Sequence, residues 1–229
     1  MESHSFTAGR LHGDVYHAPG SETVIYIPEP EPVTEEVSFL AEELSLTLVA
    51  VGGMDWNGDL SPWKAPKVFQ GESDFSGGAD RFMDELVRDF FPRAEEGLTV
   101  RRRMMAGISM SGLFALYMAV KSDRLDAVAS ISGSLWFDGF ADFMNEHSVN
   151  ERVKRVYVSL GDREKKTKNP RMARVETASL AIQNRLAERG LETVFQMNRG
   201  NHFVHGAERL EEAIRYLATG KVWKGPHSL

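Results

Sequence analysis

The chain has 229 residues and no cysteine, with 42% hydrophobic and 26% charged residues and a formal net charge of −6. That length fits one α/β domain spanning residues 1–229 with a large core, and the missing thiols exclude disulfides, thiolate metal sites and cysteine nucleophiles. The acidic balance argues against a nucleic-acid partner, which needs a concentrated basic surface. The one basic run, "VRRRMM", lies at a predicted strand entrance. No apolar run approaches the length of a membrane span, and the start, "MESHSFTAGRLHGD", is polar with no signal-peptide core. The expectation is therefore a cytoplasmic protein with no membrane partner.

In chain order, "SFTAGRLHG" and "DVYHAP" read as an antiparallel edge hairpin joined at Gly13. "TVIYIP" (Thr23 to Pro28) and "LTLVAVGG" (Leu46 to Gly53) are β-branched runs ended by Pro or Gly, the mark of strands. Between them "IPEPEPVTEE" reads as a loop leading into a helix near Val33 to Leu44. Phe82, Leu86, Val87, Phe90 and Phe91 make a helical stripe. "TVRRRMMAG" is a strand, followed by a helix from Leu113 to Lys121 and the buried strand "AVASIS". "RVKRVYVSLG" and "ETVFQMN" are the last strands, separated by a helix with Gly190 as its cap and followed by the helix "GAERLEEAIRYLATG". Such alternation predicts a mostly parallel sheet with helices on both faces, and reactive residues on loops at the carboxyl ends of its strands.

"AGISMSG" hands a strand over to a helix with Ser109 at the turn. This is a relaxed form of the Gly-x-Ser-x-Gly nucleophile elbow, with Ser111 where the second glycine would stand and Gly112 one step late. The motif needs small neighbours because the nucleophile is held in a strained conformation, and Gly107, Ser111 and Gly112 are all small. Ser111 would lie a turn into the helix and is the weaker nucleophile candidate. A serine needs a histidine to take its proton and a carboxylate to orient that histidine. Of seven histidines, His202 in "NRGNHFVHG" follows the last strand, while His205 stands already at a helix start. "SLGDREKKTKNP" supplies Asp162 and Glu164 after another strand. Serine, acid and histidine thus occur in the chain order of α/β-hydrolases.

Acyl transfer also needs donors for an oxyanion. The Met110 N–H is one candidate, and the backbone at Asp55 and Trp56 in "VGGMDWNGDLSPWKAP" the other. Trp56, Trp63 and Trp136 are candidate pocket walls. "DWNGD" lacks the further ligand positions of a calcium loop, so neither metal nor cofactor is expected. A nucleotide-binding fingerprint and a P-loop lysine are both missing.

"DWNGDLSPWKAP", "FSGGADRFMDEL", "AGISMSGLFALY", "GSLWFDGF", "SLGDREKKTKNP" and "GNHF" together resemble the putative-esterase branch of the α/β-hydrolase superfamily, which includes esterase D-like, feruloyl and ferric-siderophore esterases. The resemblance implies an α/β-hydrolase fold without a large cap domain, Ser109 as nucleophile and His202 as base. It prefers Glu164 as the acid, with Asp162 in reserve. The implied partner is a small-molecule ester, cleaved through an acyl-enzyme without a cofactor. Lys165, Lys166 and Lys168 near the acid loop are candidates for a cationic pocket, against the simpler reading of a solvated loop. A hydrolase-fold ligand-binding protein with little catalysis is the alternative, and the oligomeric state is open.

Overall fold

In the computed structural model, which describes residues 1–30 and 33–229, strands β1 (Glu2–Ala8) and β2 (Leu11–His17) form the expected edge hairpin. Its turn falls at Gly9, with φ at 63°, rather than at Gly13. Gly13 pairs with Phe6 across the hairpin, and a Cβ there would collide with the Phe6 ring, so this glycine marks a close approach.

The β-branched runs become β3 (Thr23–Pro28) and β4 (Thr47–Gly52), buried along their whole length. Helix α1 (Glu35–Glu43) lies between them, and Thr34 caps it by accepting from the Val37 N–H at 3.4 Å. Of the sequence loop "IPEPEP", Glu31 and Pro32 lie outside the described residues. A short pair, β5 (Lys64–Ala65) and β6 (Phe75–Ser76), precedes α2 (Ala79–Glu85) and α3 (Phe91–Ala94). A π turn over Leu86–Phe90 joins these two helices just before Pro92, whose missing N–H breaks the regular ladder.

Then follow β7 (Arg102–Ile108), α4 (Met110–Lys121), β8 (Ala127–Ile131), α5 (Phe140–Glu146), β9 (Arg155–Gly161), α6 (Val175–Glu188), β10 (Glu192–Asn198) and α7 (Gly206–Thr219). Gly190 does end α6, in the left-handed region with φ at 81°. The sheet runs β1-β2-β4-β3-β7-β8-β9-β10, parallel from β4 onward. Residues of α1 and α7 pack in one apolar layer, and those of α2 through α6 in the other. Only α5 interrupts the stretch between β8 and β9, so no cap is inserted there. The order places β3, not β4, beside β7, the strand that ends just before Ser109.

Candidate active site

Helix α4 starts at Met110, three residues earlier than its apolar pattern suggests, because the chain reverses abruptly at Ser109. Ser109 has φ 60° and ψ −120°, a conformation costing roughly 1–3 kcal/mol for a non-glycine residue. Its neighbours hold it there. Its N–H donates to the Ile131 carbonyl at 3.0 Å, and its own carbonyl accepts from Leu113 and Ser134 N–H at 3.1 and 2.9 Å. A Cβ on Gly107 would collide with the Ser111 backbone, and one on Gly112 would lie 2.7 Å from the Gly107 oxygen. Gly112 is therefore the glycine that lets α4 approach β7. Ser111 points elsewhere: its Oγ lies 2.6 Å from Glu29 Oε1 and 2.8 Å from the Ile108 carbonyl oxygen.

His202 sits in the loop between β10 and α7, with Nε2 3.1 Å from Ser109 Oγ and Nδ1 2.8 Å from Glu164 Oε2. The other oxygen of Glu164 accepts from Gly161 N–H at 2.7 Å and from Arg209 Nη1 at 3.0 Å. Burial alone would raise the Glu164 carboxyl; the hydrogen bond and charge of His202, the Gly161 N–H and Ser132 hold it below its ordinary value. Asp162 does not reach the histidine. Its Oδ1 accepts from Gly200 N–H at 2.8 Å, which fastens the histidine loop to the acid loop.

Arg209, on α7 and 2% exposed, escapes the sequence reading. It donates to Glu164, to Ser132 Oγ at 2.8 Å and to the carbonyls of Arg199 and Asn201 at 3.1 and 3.2 Å. One side chain thus ties the acid to the histidine loop. Its signal was available: Arg209 shares the row of Ala213 and Leu217 on the buried stripe of α7, where a charge is out of place. Ser134, which follows a strand in "SISGSLW" but has no helix beginning directly at it, brings its Oγ to 3.3 Å from Ser109 Oγ.

Met110 is the first residue of α4, so its N–H has no carbonyl of an earlier helical turn behind it and it remains the other donor candidate. The Asp55 N–H must be withdrawn as an oxyanion donor, because it donates to Asp59 Oδ2 at 2.8 Å. Arg10 and Arg81 bind that Asp59 carboxylate at 2.5 and 2.8 Å, so "DWNGD" is an ion-paired turn. Trp56 does reach the cleft and remains the donor candidate of this loop. The strand beside the elbow, β3, leads into Glu29 and Pro30. The Glu29 N–H is given to Val51 at 3.2 Å, and proline has none.

A cleft of about 360 Å³ opens over Ser109 and His202, walled by Trp56, Phe69, Phe75, Trp136, Met172 and Phe203. Trp63 is not among its walls. Its indole N–H donates to the Asp138 carbonyl at 2.9 Å, and its ring packs against Phe137, Phe140 and Phe143. Lys165, Lys166 and Lys168 do not line the cleft either, and Lys165 pairs with Glu176 at 2.9 Å. His205, Glu208 and His227 also come together. Their two imidazoles stack with centroids 3.5 Å apart and planes 21° from parallel, so the in-plane lone pairs do not converge on one point. Among the described residues no helix is long and apolar enough to cross a membrane.

A tight serine turn after a central strand of the mostly parallel sheet, with a carboxylate and a histidine beyond later strands, is the arrangement of an α/β-hydrolase fold. The chain matches the model of the family described as "Putative esterase" over residues 28–206, and it belongs to that family. The uncharacterized protein YbbA of Bacillus subtilis (strain 168) is 26% identical over 161 residues, covering 68% of this chain. The chain spans 64% of the length of that curated relative. The siderophore hydrolase EstA from Aspergillus nidulans superposes with a TM-score of 0.71 at 17% identity, covering 96% of this chain and 95% of its own. The BES protein from Bacillus cereus gives 0.69 at 15% identity, covering 94% and 95%. At such identities the structural likeness establishes the fold.

Proposed function

We propose that the chain is a single-domain serine esterase, cleaving a small-molecule carboxylic ester through an acyl-enzyme. The observation that carries this is the continuous line from Glu164 through His202 to Ser109, with contacts of 2.8 and 3.1 Å. Glu164 accepts the Nδ1 proton and so leaves Nε2 bare toward the serine. Ser109 Oγ attacks the ester carbonyl as its proton passes to Nε2, and Met110 and Trp56 N–H face the developing oxyanion. The imidazolium then protonates the leaving alcohol, and water repeats the sequence on the acyl group. Arg209 and Asp162 act on this line by fixing its loops. The apolar cleft walls suit an aromatic or otherwise apolar component of the ester, and a siderophore hydrolase is among the proteins of similar fold.

Short p-nitrophenyl esters and a fluorophosphonate probe test the reading. Ser109→Ala is expected to abolish labelling and to lower ester turnover by about 10³-fold or more. Turnover unchanged by that substitution sinks the assignment. The proline-rich loop after β3, which offers no free N–H at Glu29 or Pro30, favours a second reading: a hydrolase-fold ligand binder with weak catalysis. Labelling of Ser109 without turnover of any ester in the panel would select it.

A further inference from the structure

Glu29 and Ser111 meet beside the turn that carries Ser109, and neither is a partner in the hydrogen bond between Ser109 and His202. Strands β3 and β7 pair only as far as Tyr26 and Met105, so beyond them the Ile108 N–H has no strand partner. Glu29 Oε1 takes it at 2.9 Å and also lies 2.6 Å from Ser111 Oγ. The two groups so held flank Ser109, one immediately before it and one two residues after. Ser111 has a single hydroxyl proton and two acceptors within reach, Glu29 and the Ile108 carbonyl. With Glu29 ionised, that proton points to the carboxylate. With Glu29 protonated, the acid donates to Ser111 Oγ and the hydroxyl turns to Ile108. Both charge states are hydrogen-bonded, so neither requires the turn to move.

We propose that Glu29 is a positioning residue of the esterase site, clamping the nucleophile turn through Ile108 N–H and Ser111 Oγ and using its charge to stabilise the imidazolium that forms on His202. This rests on the serine-esterase reading above. Burial pushes the Glu29 carboxyl up to about 7, against the smaller opposing effects of Ser111, the Ile108 N–H and the charge on His202. The groups facing it are Ser111 from α4 and the Ile108 N–H from β7. Among the described residues the charge of His202, from the loop before α7, also acts on it, while the Val51 carbonyl of β4 accepts the Glu29 backbone N–H and not the carboxyl. Near neutral pH a proton thus leaves a group coupled to the catalytic base, and the serine in place of the elbow glycine supplies the hydroxyl that makes this possible.

The experiment compares Glu29→Gln with the unmodified protein, following fluorophosphonate labelling of Ser109 and p-nitrophenyl acetate turnover from pH 5.5 to 9. Glutamine keeps the acceptor for Ile108 and Ser111 and removes only the charge. The two proteins are expected to react alike below pH 6, where Glu29 is protonated. Above pH 8 the variant should be about three- to tenfold slower, the scale of a screened charge effect. A ratio constant across pH overturns the proposal, because a merely structural role would not follow the Glu29 proton. Ser111→Ala keeps the charge but removes a donor to it, so the pH at which its rate rises should move upward; an unmoved midpoint also overturns it, and this variant decides if Glu29→Gln fails to fold. Loss of labelling in Ser109→Ala with an unchanged profile in Glu29→Gln defeats this inference alone, whereas full turnover in Ser109→Ala defeats the esterase reading with it.

Discussion

Two carboxyl groups bear on the Ser109 turn, Glu164 through His202 and Glu29 through Ser111, and desolvation has opposite net outcomes for them. Glu164 is buried among an imidazole, a guanidinium and a backbone N–H, and it is held below its ordinary value. Glu29 is half-buried with one N–H and one hydroxyl, both neutral, and the loss of water around its carboxyl raises it to about 7. Depth alone therefore does not decide ionisation near Ser109; the number and charge of the donors do. A carboxylate that must stay charged to orient a histidine needs the richer shell, and one that responds to pH needs the poorer.

The largest expected effect separates the two candidate acids. Glu164→Gln should lower kcat by about 10³- to 10⁴-fold, since the histidine loses the partner that fixes its tautomer. Asp162→Asn should stay within about tenfold, because its contact is to the Gly200 N–H and an amide oxygen still accepts there. Equal losses in steady-state turnover would erase the distinction between an acid on the histidine and an acid on its loop. Next in size comes the charged shell itself. Arg209→Leu leaves Glu164 buried with one charged partner fewer, and urea unfolding should show a loss of about 3–5 kcal/mol. A loss under about 1 kcal/mol would mean that water replaces the guanidinium and that the shell is not what keeps Glu164 ionised.

The front of this arrangement was legible in the sequence and the back was not, for a physical reason. Ser109, His202 and the pair Asp162 and Glu164 each follow a β-branched run, and strand ends can be read from local pattern. Which loop abuts the elbow depends instead on sheet order. β4 comes after β3 in the chain but lies outside it in the sheet, so a reading that places the second oxyanion donor, beside Met110, at Asp55 and Trp56 does not reach the loop at Glu29. Asp55 itself failed on a contact four residues away, Asp59, whose own anchoring needs Arg10 and Arg81 from distant segments. The tryptophans show the same limit: Trp63 and Trp136 are alike in sequence, and only packing turns half-buried Trp63 onto Phe137, Phe140 and Phe143 while buried Trp136 walls the cleft. Ser111 was correctly seen as small enough for the turn. Its partner, 82 positions earlier, lies beyond any local pattern.

The smallest effect is the most specific to Glu29, and it concerns stability. Its folded carboxyl titrates near 7, against about 4.5 for the same group unfolded. Between those values the folded chain keeps a proton that the unfolded chain has released, so stability falls as pH rises and the full penalty stands above pH 7. That interval corresponds to at most about 3 kcal/mol, and relaxation of the site will reduce it. Glu29→Gln stays neutral at every pH, so it should match the unmodified protein near pH 4.5 and exceed it near pH 8.5, seen as a higher urea midpoint or Tm. Glu164 has the opposite sign: held low, it contributes stability above its unfolded value that is lost as pH falls through its folded one. Glu164→Gln should therefore be destabilising at pH 8.5 and progressively less so in acid. If both glutamine variants shifted stability in the same direction at pH 8.5, the two carboxyls would share one electrostatic environment. The charge on Glu29 would then have no separate bearing on His202.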